Sequence, residues 1–128
     1  MIKHFILNGY FWHILFVPYD DNILIDRTGR RTVAVTDFQS LSVYLSSDLD
    51  GNFLYKVLVH ELGHCAIFSF HLDEEIHRVV KPEYWIEAEE WICNFLWDYG
   101  LKIFEVMSRI FGDKALEFLP REIERLLA

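Results

Sequence analysis

The pentapeptide His60-Glu61-Leu62-Gly63-His64 restricts this chain more than any other feature. It lies between the largely apolar run Phe53-Leu54-Tyr55-Lys56-Val57-Leu58-Val59 and the segment Cys65-Ala66-Ile67-Phe68. That context predicts a helix over about residues 51–70, buried in a core. Residues four apart share a helix face, so both imidazoles can reach a single metal ion. Glu61 stands beside them, placed to take a proton from a metal-bound water. H-E-x-x-H is the spacing of a zinc site for metal-assisted hydrolysis. Two histidines and a glutamate in a buried helix are costly unless something pairs with them, and a metal does so. Gly63 in mid-helix costs about 1 kcal/mol relative to Ala, which close approach by a neighbouring element would explain.

With 128 residues, the chain is expected to form one domain spanning 1–128 with a real core. The formal net charge is −8, with the acids concentrated in the second half. This argues against a nucleic-acid partner, because phosphate binding needs a basic surface. The basic stretch Asp26-Arg27-Thr28-Gly29-Arg30-Arg31 reads as a hairpin turn carrying solvated arginines. Cys65 and Cys93 each lie in an apolar helical stretch and lack C-x-x-C spacing. They read as buried free thiols in a reducing compartment. No apolar run is long enough to span a membrane. The N-terminal apolar stretch is broken at Asn8-Gly9 and no small-residue cleavage site follows, so it reads as strand rather than leader and the expected location is cytoplasmic.

The expected architecture is α+β: a small antiparallel or mixed N-terminal sheet followed by helices. Asn8-Gly9 signals a hairpin between Ile2–Leu7 and Tyr10–Val17. Ile23–Asp26 and Arg31–Val35 flank a turn at Thr28-Gly29-Arg30, and Leu41–Ser46 alternates with period two. Together these predict a meander of four or five strands. After the first helix, residues 71–81 read as a polar connection. Pro82 is placed to open a second helix that Gly100 ends. A third helix is expected over about 101–111, stopped by Gly112, with short helices over 113–119 and from Pro120.

A catalytic zinc usually takes three protein ligands and keeps one position open. A third histidine six residues after His64 is excluded, because Phe70 stands there and Ile67 replaces the glycine that such a motif requires. A glutamate from the next helix is the other choice. Of Glu83, Glu87, Glu89 and Glu90, Glu90 lies deepest in an apolar run that includes Trp91, Cys93, Phe95 and Trp97. Asn94, four residues on, shares its face and is placed to orient a metal-bound histidine. Glu87 is the runner-up, and Glu89 is expected to point elsewhere, into solvent.

His60-Glu61-Leu62-Gly63-His64 followed by Glu90-Trp91-Ile92-Cys93-Asn94-Phe95 resembles the ImmA/IrrE-type metallopeptidases, minimal gluzincins common in phages and mobile elements. The resemblance covers about residues 31–98; Cys93 stands where the family usually has Ala, and Trp97-Asp98-Tyr99-Gly100 replaces the family's L-L-M-P stretch. It implies a zincin-like fold and peptide-bond hydrolysis. In this reading His60, His64 and Glu90 hold Zn²⁺, which lowers the pKa of a bound water toward about 7. Glu61 acts as general base and then returns the proton to the leaving amine. The substrate is a peptide or protein whose extended segment adds to the strand Leu41–Ser46. His77, Tyr84 and Tyr99 are candidates for a second oxyanion donor. The alternative is a catalytically inactive zincin-fold protein that binds a partner, with some of Trp12, Trp85, Trp91 and Trp97 as interface anchors. Retention of Glu61 argues for the enzyme.

Overall fold

Asn8 and Gly9 both take positive φ, 49° and 82°. A two-residue hairpin turn whose twist matches the flanking strands needs that conformation. It joins β1 (His4–Leu7) to β2 (Tyr10–Val17) in an antiparallel pair. β3 (Ala34–Asp37) and β4 (Ser42–Ser46) complete the sheet. This computed structural model describes residues 3–112. The chain divides into two compact units, residues 1–97 and 98–128. The α+β class holds: a four-stranded sheet followed by helices.

The sheet is not a meander. Its order is β1-β2-β4-β3, with β4 parallel to β2 and antiparallel to β3. Burial explains the difference. Val43 and Leu45 are fully buried on one face of β4, and the small side chains of Ser42 and Ser46 are buried as well. A strand covered on both faces belongs in the middle of a sheet. Leu41–Ser46 is therefore an interior strand and offers no edge to a peptide. β3 is the outer strand on that side.

The hairpin expected over 23–35 shrinks to one bridge, Ile25 to Arg31. Its turn is well built. The Asp26 carboxylate accepts from the Thr28 and Arg30 backbone amides and from the Thr28 hydroxyl. Gly29 takes φ 84°, and Leu24, fully buried, anchors the loop to the body.

α1 (Gly51–Ser69) carries the H-E-x-x-H residues. Its sheet-facing side packs Val57 and Cys65 against Trp12, Ile14, Val43 and Leu45. Each of these large apolar side chains contributes about 1.5–3 kcal/mol by leaving water. The Trp12 indole donates to Ser69 Oγ (2.9 Å), and the Asn8 amide donates to the Ser69 carbonyl (2.7 Å). The β1–β2 turn is thus pinned to the C-terminal end of α1.

Residues 71–81 are not a plain connection: α2 (Leu72–Val79) lies within them. Its polar composition hides it, since only Ile76 is buried. Asp73, Glu74 and Glu75 in the first turn and His77 and Arg78 in the last complement the helix dipole. Pro82 opens a 3₁₀ turn, Pro82–Tyr84, that leads into α3 (Trp85–Phe95). Gly100 does not end the helical path. Its backbone is α-helical (φ −58°, ψ −46°), and a π-helical turn, Leu96–Gly100, runs into α4 (Leu101–Phe111). Gly112, with φ 62°, does end it. The expected helices over 113–119 and from Pro120 lie outside the described residues. Among the described residues, no helix is long and apolar enough to cross a membrane.

Gly63 accounts for the approach of α3 to α1. A Cβ there would lie 3.0 Å from Leu96 Cδ1, 3.1 Å from Cys93 Sγ and 3.5 Å from Cys93 Cα. Gly63→Val should destabilise the chain by about 1–3 kcal/mol through overpacking, despite the better helix propensity of Val over Gly. Thermal denaturation checks this, and a melting temperature at or above wild type would contradict it. Cys65 and Cys93 are both buried free thiols, and burial pushes the Cys65 thiol up to about 12.

Candidate metal centre

The i, i+4 spacing on α1 brings the His60 and His64 imidazoles together, with their Nε2 atoms 3.2 Å apart. The close seat of α3 on Gly63 then sets Glu90 opposite them. Glu90 Oε2 lies 3.2 Å from His60 Nε2, and Glu90 Oε1 lies 3.3 Å from His64 Nε2. These three residues form a group that could hold a metal ion, their donor atoms all within 4.8 Å of one another. The His60 and His64 contacts hold the Glu90 carboxyl well below the usual carboxylate range.

Glu89 is where sequence and structure disagree. It is not solvated but buried, and its Oε2 accepts from His64 Nδ1 at 2.9 Å. Glu89 and Cys93, four apart, form the buried side of α3. Trp91 points outward and is 67% exposed. Glu90 therefore flanks the buried face instead of lying deepest in it. Asn94 is exposed on the pocket wall, and the contact to a histidine expected of it is made by Glu89 instead. A carboxylate on Nδ1 would fix the His64 tautomer and raise the basicity of Nε2 toward a metal ion. Burial would favour neutral His64, but Cys93, Glu89 and Glu90 outweigh it and raise its pKa. For Glu89 itself, burial is outweighed by His64 and Arg27, and its pKa falls. Glu89→Gln should weaken metal binding by about 10–100-fold. Chelator competition measures this, and unchanged affinity would remove Glu89 from the site.

His60 has no such support. Its Nδ1 is buried without a hydrogen-bond partner among the described residues. The Trp97 ring packs edge-on against the imidazole, centroids 5.9 Å apart. The two histidines are thus held differently, one by a carboxylate and one by an aromatic wall.

Glu61, one residue after His60, is buried and turns toward β3. The Thr36 hydroxyl donates to Glu61 Oε2 at 2.8 Å. Burial pushes the Glu61 carboxyl up, against the opposing pull of His64 and Thr36. A raised carboxyl pKa suits a group that must take and return a proton near neutral pH.

His60, Glu61, His64, Glu89 and Glu90 open into one cavity of about 900 Å³. Its walls are β3 and the following residues to Gln39, the 22–32 loop, and the α3 residues Ile86, Glu89, Glu90 and Asn94. Neither His77 nor Tyr84 lines it. His77 stacks on Trp85 instead, with ring centroids 3.7 Å apart. Tyr99 belongs to the second unit. Glu87, the runner-up ligand, is likewise not among the lining residues.

Two residues in the site carry no sequence signal. Thr36 is one. Arg27 is the other: its guanidinium pairs with Glu89 Oε2 at 2.7 Å and with Glu90 Oε1 at 3.1 Å. In the sequence it reads as a solvated turn arginine, and only folding brings it to acids more than sixty residues away. No protein-family model, curated protein or solved structure matches this chain.

Proposed function

We propose that this chain is a zinc-dependent metallopeptidase of the zincin type, akin to the ImmA/IrrE-type gluzincins. The spacing of the donor atoms carries the reading. Donors arranged tetrahedrally at about 2.0–2.1 Å from zinc stand about 3.3–3.4 Å apart. Here the two Nε2 atoms are 3.2 Å apart, and each has one Glu90 oxygen at a similar separation, Oε2 at 3.2 Å from His60 and Oε1 at 3.3 Å from His64. Zinc held by His60, His64 and Glu90 would act as a Lewis acid on water and on the substrate carbonyl.

The remaining chemistry belongs to the chain's own side chains. Thr36 holds Glu61 Oε2 and leaves Oε1 to receive the proton of the attacking water. Oε1 then delivers it to the departing amine. β3 replaces β4 as the strand that an extended peptide would join. Its residues 34–37 line the cavity, and Thr36 touches the base directly. Main-chain pairing along that edge would set peptide register, and Ile23, Ile25, Phe38 and Ile86 supply apolar contacts. The partner-binding alternative draws on exposed Trp91, stacked on Phe95 with ring centroids 5.8 Å apart.

Zinc-loaded protein, incubated with a casein-like substrate and with a cell lysate, tests the proposal by peptide mapping. The expected result is about one zinc per chain and slow, selective cleavage. Full zinc occupancy with no cleavage of any protein would favour the binding module.

A further inference from the structure

Arg27 is the residue whose placement the proposed chemistry does not use. The loop that carries it is built to hold it still. Three hydrogen bonds to the Asp26 carboxylate close the turn, and the Ile25–Arg31 bridge closes the loop behind it. Arg31 ties that loop to the carbonyls of Tyr19 and Asp21, at 3.3 and 3.1 Å. From this base a single guanidinium nitrogen reaches two successive acids of α3.

Each acid has one oxygen engaged by Arg27. On Glu89 it is Oε2, the oxygen that also accepts from His64 Nδ1. On Glu90 it is Oε1, which also lies 3.3 Å from His64 Nε2, while Oε2 faces His60. Glu61, Glu89 and Glu90 are among the acids that line one cavity with Arg27, and close carboxylates repel unless a cation lies between them. An arginine keeps its charge at any working pH.

We propose that Arg27 is a positioning residue for the metal centre: by clamping Glu89 Oε2 and Glu90 Oε1 together, it fixes the metal-orienting acid and the metal-binding acid in one geometry. The proposal rests on the metal-site reading above. Without the clamp, Glu90 is free to swing away from the histidines. One consequence follows from the clamp using one nitrogen. A lysine ammonium, itself a point charge with several donors, can bridge the same two oxygens, so Arg27→Lys should restore much of what Arg27→Gln loses.

The test uses the full chain as wild type, Arg27→Gln, Arg27→Lys and Arg30→Gln. Arg30 lines the same cavity, so its variant removes the same charge from the same loop without touching the clamp. Zinc affinity is measured by competition with a chromophoric chelator, and the visible spectrum of the Co²⁺-substituted protein reports ligand geometry. Arg27→Gln is expected to weaken zinc binding by about 10–100-fold, as loss of an orienting partner does, and to alter the Co²⁺ bands. Arg27→Lys should recover most of the affinity and a near wild-type spectrum, and Arg30→Gln should change neither. Arg27→Gln with wild-type affinity and spectrum would overturn the proposal while leaving the metal site intact. Equal losses in Arg27→Gln and Arg30→Gln would overturn it too, reducing the effect to net charge. Wild-type chain that takes up no zinc would overturn the metal reading and this proposal with it.

Discussion

Glu61→Gln should leave fold and zinc content unchanged and lower peptide hydrolysis by about 10²–10⁴-fold, the usual contribution of a positioned general base. Glutamine has nearly the same shape, and its amide can keep the Thr36 hydroxyl contact now made at 2.8 Å. It also removes a carboxylate that is costly to bury. The variant should therefore melt no lower than wild type. This combination separates a base from a structural acid. If Glu61 only held β3 against α1, glutamine would preserve that contact and leave the rate alone. The check pairs a thermal melt with a cleavage rate on any peptide that the wild type cuts. Wild-type turnover in Glu61→Gln would remove it from the chemistry.

His64→Ala should abolish metal uptake and destabilise the protein. His64 is the hub of the polar cluster: Nδ1 pairs with Glu89 and Nε2 faces both His60 and Glu90. Truncation leaves Glu89, which is buried, with Arg27 as its remaining partner, so the cost should fall below about 3–5 kcal/mol, that of a fully orphaned buried charge. His60→Ala should also release the metal but cost less stability, since His60 Nδ1 has no hydrogen-bond partner to orphan among the described residues. The two variants are compared by metal analysis and by denaturant melts. In the wild type, zinc held at this site would have to displace the proton that Cys93, Glu89 and Glu90 favour on His64. Binding therefore releases a proton, and affinity should rise with pH. Affinity that falls or stays flat with rising pH would place the metal elsewhere.

What the sequence reveals and what it hides divide along range. The β1–β2 turn follows from two adjacent residues that tolerate positive φ. The α1 span follows from a long apolar run, and the His60–His64 pairing from helical spacing alone. Gly63 announces a close approach because no local reason favours glycine there. The order of the strands is not local. Placing β4 between β2 and β3 depends on both of its faces being covered, and period-two alternation reveals only one. α2 is hidden because a single buried residue, Ile76, leaves no apolar stripe to find.

The acids of α3 show the limit most clearly. Successive helical residues point about 100° apart, so choosing between Glu89 and Glu90 requires knowing from which side α1 arrives. That side is set by Cys93 and Leu96 closing on Gly63, a contact between segments thirty residues apart. It buries the face of Glu89 and leaves Glu90 at its rim, close enough to meet both histidines. Arg27 comes from a turn more than sixty residues before those acids, and Thr36 from a strand well before Glu61; neither residue type marks a metal site by itself.

The account rests on one ion held by His60, His64 and Glu90. Anomalous diffraction at the zinc edge, from crystals of the zinc-loaded full chain, tests this most directly. The predicted result is a single strong peak bonded to Nε2 of His60, Nε2 of His64 and a carboxylate oxygen of Glu90, with Glu89 on the far side of His64. A peak bonded to other residues, or none at these three in protein shown to contain zinc, would contradict it.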